Sequence, residues 1–141
     1  MYGPSWRMDE IIKNKENLLK ESIFYVRNRK DALSEEIQKL SERDKMILPH
    51  IRDLDIDQVI NEFIDVYLSG LIDIACESKD VEEFTNKSSE LISNIELQFN
   101  KKKIGKPVSN LAIDISMALV NFGMGIEYRF SPKESGARHL I

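Results

Sequence analysis

The stretch DLDIDQVINEFIDVYLSGLIDIACESKDVEE, Asp53 to Glu83, decides the fold because it is both strongly acidic and rich in apolar residues. It contains ten acidic residues and one basic residue, Lys79, so its net charge is −9. The whole chain carries −4, which leaves +5 for the residues outside the stretch. Charge is therefore segregated along the sequence.

The apolar residues of this stretch recur at the spacing of an amphipathic helix. Asp55, followed three residues later by Gln58, has the form of a capping box and predicts that the helix begins there. At about 100° per residue, one broad arc of the helix collects the core residues, which are Val59, Ile60, Phe63, Val66, Tyr67, Leu71 and Ile74. The opposite arc collects the polar residues, which are Asp57, Asn61, Glu62, Asp65, Ser69 and Asp73. Two aliphatic residues, Leu68 and Ile72, fall on this acidic side.

Helical periodicity also runs through the sequence on both sides of the acidic stretch. Ser109 or Asn110 is expected to begin a last helix, through Met124, that is apolar almost all round, which is typical of a helix inside a bundle. The other predicted helices run from about Met8 to Arg27, from Asp31 as N-cap to Pro49, and from Ser78 as N-cap to Asn100–Lys103. The segment from Asp31 to Pro49 fits either one helix or two short helices with an internal cap at Ser41.

These segments predict an all-α, single-domain bundle of five or six helices with the Ser109–Met124 helix innermost. A chain of 141 residues buries about two thirds of its unfolded surface, for which one core is sufficient. We expect the helical domain to span residues 8–130, between a flexible N-terminal extension of residues 1–7 and a flexible tail of residues 131–141. After Gly125 the pattern fits a strand and an extended helix equally well.

Composition is typical of a soluble cytoplasmic protein. Cys76 is the only cysteine, which excludes an intramolecular disulfide and a cysteine-based metal cluster. The N-terminus lacks the apolar core of a secretory signal. The longest weakly charged run, Leu111–Ile126, contains Asp114 and is too short for a membrane span. We therefore expect a cytoplasmic location and no membrane partner.

Alternating aspartates open the acidic stretch in the manner of a calcium-binding loop. Asp53, Asp55 and Asp57 match loop positions one, three and five. The match then fails, because position six is Gln58 rather than glycine and position twelve is Ile64 rather than glutamate. A calcium site is therefore not predicted.

Glu62 and Asp65 have the Glu-x-x-Asp spacing found in helical magnesium-dependent nucleotide pyrophosphatases. Those sites also need an upstream Glu-x-x-Glu pair on a neighbouring helix, and the sequence lacks one. We therefore predict neither a metal nor a cofactor. A magnesium-dependent all-α hydrolase that uses the same acidic face is the main alternative function.

Residues suited to catalysis are scarce. The two histidines, His50 and His139, lie at a helix junction and in the tail, without a supporting pattern for acid–base catalysis. Cys76 fits a small core residue. Gly123 and Gly125 form a Gly-x-Gly after a helix, not between a strand and a helix as phosphate-binding loops require. We therefore predict no catalytic residues and no enzyme activity.

The segment Leu40–Phe63 has the order of a helix-turn-helix, a capped helix, a short turn and a second helix. Its second helix carries Asp57 and Glu62 and no basic residue, so it would repel DNA phosphates. The basic stretches Arg27–Lys30 and Lys101–Lys106 are equally well explained as solvated helix ends. The sequence therefore argues against nucleic-acid binding and leaves a dimeric helical transcription regulator as a further alternative.

A basic protein partner fits the acidic stretch best. An apolar centre with a charged rim suits an interface, because burial stabilises the complex and charge accelerates the encounter with a basic partner. Leu68 and Ile72 are the predicted centre of this interface. The carboxylates predicted around them are Asp57, Glu62, Asp65 and Asp73. If Leu68 and Ile72 are instead buried, the acidic side is mostly a solvated surface.

Small size, acidity, a single cysteine and the lack of catalytic residues are together typical of bacterial immunity proteins and antitoxins. We therefore expect a small, non-catalytic protein that neutralises a basic, nuclease-like toxin. The sequence leaves homodimerisation open, through the first helix or through residues 126–130.

Overall fold

The computed structural model describes residues 5–126, except for the side chains of Ile47, Leu48 and His50. Every regular element in this range is helical, so the all-α prediction is confirmed. The elements are α1 (Met8–Lys13), α2 (Lys15–Asn28), α3 (Lys30–Arg43), a 3-10 turn (Lys45–Ile47), α4 (Leu48–Ile51), α5 (Ile56–Glu62), a π-helical segment (Phe63–Leu68), α6 (Ser69–Glu77), α7 (Val81–Asn100) and α8 (Gly105–Gly123).

One apolar core joins these helices. Fully buried side chains from different helices meet in a single cluster, among them Leu18, Leu33, Phe63, Phe84 and Ile115. Burying one large apolar side chain stabilises a fold by about 1.5–3 kcal/mol. The packing of the helices is therefore set mainly by their apolar sides.

The predicted first helix, Met8 to Arg27, is interrupted at Asn14, so that α1 and α2 are separate elements. The Asn14 side-chain amide donates a hydrogen bond to the backbone oxygen of Glu10 at 2.8 Å. Asparagine side chains that bond to the backbone of their own turn compete with the helical hydrogen-bond ladder. At the break the Glu10 carbonyl accepts from both the side-chain amide and the backbone N–H of Asn14.

The predicted helix caps have different outcomes at α3 and α5. Asp31 is not the N-cap of α3, because the helix begins at Lys30 and Asp31 lies in its first turn. Asp55 is the N-cap of α5, as predicted. Its Oδ1 accepts hydrogen bonds from the backbone N–H groups of Asp57 at 3.0 Å and Gln58 at 3.3 Å, which satisfies two of the free donors at the helix start.

The start of α7 differs from the prediction, because Ser78 is not its cap. The Ser78 hydroxyl instead donates back to the carbonyl of Ile74 at 2.7 Å. Asp80 caps α7 and accepts from the N–H of Glu83 at 2.7 Å, and the Glu83 carboxylate accepts from the N–H of Lys79 at 2.9 Å. This backbone hydrogen bond is the main reason why the pKa of Glu83 is lowered.

A tight turn joins α7 to α8. Ile104 N–H donates to the Phe99 carbonyl at 3.2 Å and Lys103 N–H donates to the Asn100 carbonyl at 2.9 Å, which is the Schellman arrangement. Lys103 has φ +66° and occupies the position that glycine usually fills in this motif. Because the turn closes so quickly, α8 begins at Gly105, four residues before the earlier of the two predicted starts.

Helix α8 contacts α1, α3, α6 and α7. It is not enclosed on all sides, because Ile113 and Met117 point outward and are 41% and 60% exposed. Apolar residues therefore lie on the exposed side of α8 as well as on its buried sides. No helix in the described range, α8 included, combines the length and the apolar character needed to cross a membrane.

Helix α8 ends in a second Schellman motif, which explains the Gly-x-Gly sequence. Gly125 has φ +77°, a conformation that favours glycine. Its N–H donates to the Phe122 carbonyl at 3.1 Å, and Ile126 N–H donates to the Asn121 carbonyl at 2.7 Å. The predicted strand-like positions after Ile126 and the predicted flexible tail lie outside the described residues.

The segment before α1 packs against the end of α8. The Trp6 ring stacks on Phe84 with 5.4 Å between the ring centroids. Arg7 N–H donates to the Gly123 carbonyl at 2.7 Å, and the indole leaves no room for a side chain at Gly123. Trp6 and Arg7 thus contact the helical domain, and the flexibility expected of residues 1–7 stays a prediction. The first four residues lie outside the described range.

Candidate functional site

The acidic side belongs to one continuous rod made of α5, the π-helical segment and α6. A π-turn closes its hydrogen bonds five residues apart instead of four, so it holds about one residue more than an α-turn. One residue corresponds to about 100° of rotation in an α-helix. The π-helical segment, Phe63–Leu68, therefore rotates the sides of α6 relative to a straight α-helix.

This rotation reverses three of the predicted side-chain positions. Leu68 and Ile72, predicted on the acidic side, are 0% and 1% exposed. Val66, predicted in the core, is 59% exposed. The placement of Leu68 and Ile72 on the acidic side is therefore wrong, and neither offers side-chain surface to a partner. Their burial removes the predicted apolar centre and, on the criterion given above, favours a mostly solvated acidic side.

The four predicted carboxylates lie on the outer side of the rod, and three of them form ion pairs. Asp57 pairs with Lys30 at 2.7 Å, Glu62 with Lys102 at 3.7 Å and Asp73 with Lys15 at 2.9 Å. All three lysines come from outside the acidic stretch, from α2, α3 and the turn after α7. The basic remainder of the chain therefore folds back onto part of the acidic stretch.

These ion pairs are open to solvent. Hydrogen bonding to Asp73 raises the pKa of Lys15, and hydrogen bonding to Asp57 raises the pKa of Lys30. The side chains in the three pairs are between 39% and 67% exposed. Ion pairs this exposed contribute little to stability, so other cations can compete with the three lysines for these carboxylates.

Asp65 and Val66 form the open middle of the rod. Asp65 is exposed and makes no ion pair with the described side chains. Val66 follows it directly and lies one turn from Glu62. An exposed apolar residue thus lies beside carboxylates, but it is Val66, which was predicted in the core, and not Leu68 or Ile72.

The sequence contains no specific signal for this shift. Ile64, Leu68 and Ile72 recur at every fourth residue, and all three are buried. Two such steps move a stripe by only about 80° around a straight α-helix, which the apolar side of an ordinary amphipathic helix accommodates.

Among the described residues, no three His, Cys, Asp or Glu side chains come together in a way that could hold a metal ion. Asp57 and Asn61 instead contact the end of α2 and the start of α3, and Asp65 stays open. The Asn61 Oδ1 atom accepts a hydrogen bond from Arg27 at 3.3 Å, beside the pair of Asp57 with Lys30. The magnesium alternative therefore has no donor cluster in this part of the chain.

The other residues weighed for catalysis lie apart from the rod's outer side or outside the description. Cys76 is half-buried and packs against the core. Burial raises the pKa of its thiol, which lowers the fraction of reactive thiolate at neutral pH. The side chain of His50 and the whole of His139 lie outside the described part of the chain.

Comparison with known proteins adds no family. No family model, no curated protein and no solved structure matches this chain. The acidic side of the rod is therefore interpreted from its own geometry.

Proposed function

We propose that the protein is a small, non-catalytic binding protein that neutralises a basic protein partner. The binding surface is the acidic face, defined as the exposed side of the rod with Asp57, Glu62, Asp65, Val66 and Asp73. An immunity protein or antitoxin that acts on a nuclease-like toxin is the class with these properties. The observation that carries the proposal is the exposure of Asp65 beside Val66 in the middle of a helix whose other side is core.

The buried side of the rod supports a preformed interface. Phe63, Leu68 and Leu71 are each 0% exposed, so the backbone beneath the acidic face is held by close packing. A surface that is rigid before binding loses little conformational entropy in the complex. The acidic face therefore suits recognition without prior folding.

The carboxylates of the acidic face can exchange the chain's own lysines for the cations of a basic partner. Arginine or lysine side chains of a basic partner would pair first with Asp65. They would then compete with Lys15 and Lys30 for Asp73 and Asp57, since exposed pairs are weak. Complementary charge accelerates association more than it increases affinity, and Val66 supplies a small apolar contact at the centre.

The test compares Asp65→Lys with Glu90→Lys, a matched charge reversal at an exposed position of α7. Immobilised wild-type protein and the Glu90→Lys variant should retain the same basic protein from a cell lysate, whereas Asp65→Lys should lose it. With the purified partner, stopped-flow mixing at low salt should show association slowed about tenfold or more by Asp65→Lys.

The difference in rate should shrink at high salt, because the Debye length falls from about 30 Å at 0.01 M to about 3 Å at 1 M. Equal rates for the two variants at low salt would show that the acidic face is not the interface. A calorimetric titration with magnesium serves as the second arm. A stoichiometric site that weakens in Glu62→Gln would favour the hydrolase instead.

A further inference from the structure

A cleft lies between α3 and the first turns of α8, and its lining shares no residue with the acidic face. It consists of two adjoining cavities of about 220 and about 320 Å³, which share Glu36, Pro107 and Asn110 as lining residues. We call the smaller cavity the outer part and the larger one the inner part. Their linings differ in charge, so a ligand with two unlike ends would bind the cleft in one orientation.

The outer part is basic. Lys39 and Arg43 of α3 and Lys106 of α8 line it, and all three side chains are exposed. None of them forms an ion pair with a described carboxylate, in contrast to Lys30 and Lys102. The chain has 24 acidic and 20 basic residues, so a shortage of carboxylates does not explain this concentration of positive charge.

The start of α8 adds to the positive potential of the outer part. No acidic residue lies in the first turn of α8, and no side chain caps it. The N-terminus of a helix carries a partial positive charge that normally favours an acidic neighbour. Here Lys106 takes that place and faces Lys39 and Arg43 across the cleft. An anion bound among these groups would relieve their mutual repulsion.

The outer cations suit a phosphate group. The guanidinium of Arg43 presents a planar pair of N–H donors that matches two oxygens of a phosphate, and Lys39 and Lys106 add compact charges. Glu36 is the one carboxylate in this lining. The outer part therefore offers three positive charges against one negative charge.

The inner part is less basic, because two carboxylates, Glu36 and Asp114, line it together with one cation, Arg29. Asp114 Oδ2 accepts a hydrogen bond from the Tyr25 hydroxyl at 2.7 Å, which holds it in place. Carboxylates and the Asn110 amide bind hydroxyl groups, and the excess of carboxylates over cations disfavours a second phosphate here. Its volume of about 320 Å³ lies at the lower end of the range of small-molecule sites, about 300–1,000 Å³.

We propose that this cleft binds a phosphorylated, hydroxyl-bearing small molecule such as a sugar phosphate. The phosphate lies among the outer cations, and the hydroxyl groups reach Asn110 and Asp114 in the inner part. This site is independent of the acidic face and of the function proposed for that face.

Calorimetry on the full chain at low ionic strength tests the outer part with inorganic phosphate and ribose 5-phosphate. Both should bind, and ribose 5-phosphate should bind more tightly. Arg43→Gln and Lys106→Gln should each weaken both ligands by about tenfold or more, because each removes a charge-assisted hydrogen bond. Lys20→Gln makes the same charge change at an exposed site on α2 and should leave both affinities unchanged.

Asp114→Asn tests the inner part separately. It should weaken ribose 5-phosphate without weakening inorganic phosphate, because only the sugar reaches the inner part. Circular dichroism confirms the fold of each variant. If Lys20→Gln lowers the affinity as much as the cleft variants do, the loss reflects overall charge, and the proposal is overturned. No saturable binding of either compound, or binding of a single-stranded oligonucleotide alone, would also overturn it.

Discussion

At the scale of single residues, Gly105 sets how closely α7 and α8 approach. A Cβ atom there would overlap the backbone carbonyl of Glu96 and would lie 3.0 Å from the Cβ of Asn100. A backbone atom within a helix cannot move aside, so the two helices would have to separate. We expect Gly105→Ala to lower the free energy of unfolding by about 1–3 kcal/mol, as measured by urea denaturation.

Gly70 in α6 is the matched control for this substitution. A Cβ atom at Gly70 would lie 3.4 Å from Leu91 Cδ2, which is an ordinary contact. Alanine within a helix is more stable than glycine by roughly 0.5–1 kcal/mol, so Gly70→Ala should raise the free energy of unfolding. A loss of stability in both variants would show that the helix spacing at Gly105 is not special.

At the scale of elements, the π-helical segment decides which side of the rod is buried. Leu68→Ala and Ile72→Ala should each lower the free energy of unfolding by about 2–5 kcal/mol, because both side chains are in the core. Val66→Ala should change it by no more than about 0.5 kcal/mol, since Val66 is exposed. Thermal or urea unfolding of the three variants measures these stability losses. A larger loss in Val66→Ala than in Leu68→Ala and Ile72→Ala would indicate a straight α-helix.

The helices themselves were predictable from the sequence. The helical spacing of the apolar residues and the Gly, Pro and capping residues between segments mark them without knowledge of tertiary contacts. The predicted fourth helix ends at Asn100–Lys103, and α7 ends at Asn100. The side chains facing the core were less predictable after Phe63, because a wheel drawn at 100° per residue assumes α-helical turns throughout. The carboxylates of the acidic face were identified from the sequence, but Val66 could be recognised as exposed only with the π-helical segment in view.

The starts of α7 and α8 were mispredicted because local hydrogen bonding and turn geometry decide between alternatives that the sequence leaves open. Ser78 and Asp80 are both good N-caps, and the choice between them depends on the hydrogen bond that Ser78 makes back to Ile74. Before α8, the left-handed position that follows the end of α7 holds Lys103 rather than glycine. Because no glycine marks the end of α7, the next glycine, Gly105, was predicted to lie in the loop. It is instead the first residue of α8.

At the scale of the whole molecule, the charge segregation of the sequence is only partly kept in the fold. Lys15, Lys30 and Lys102 cover the flanks of the acidic face and leave Asp65 open. Lys39, Arg43 and Lys106 gather instead at the cleft between α3 and α8. The fold thus presents two surfaces of opposite sign, and each can be tested without altering the other.

Stability should also be distributed unevenly over the molecule. Residues 44–55 contain only a 3-10 turn and the short helix α4, and Met46 there is 83% exposed, whereas α7 buries Phe84, Ile95 and Phe99 to 1% exposure or less. Short elements, with few backbone hydrogen bonds to hold them, open most readily. Hydrogen exchange followed by mass spectrometry should therefore show the fastest exchange in residues 44–55 and the slowest in α7 and α8. Fastest exchange in α8 would contradict this packing.

The packing of Trp6 against Phe84 and Gly123 has a spectroscopic consequence. Trp6 is the only tryptophan in the chain, so all indole fluorescence originates at the contact between the N-terminal segment and the ends of α7 and α8. The emission wavelength reports whether that contact is closed, without any label. The molecule therefore carries its own optical probe for the docking of its N-terminal segment, far along the sequence from the acidic face.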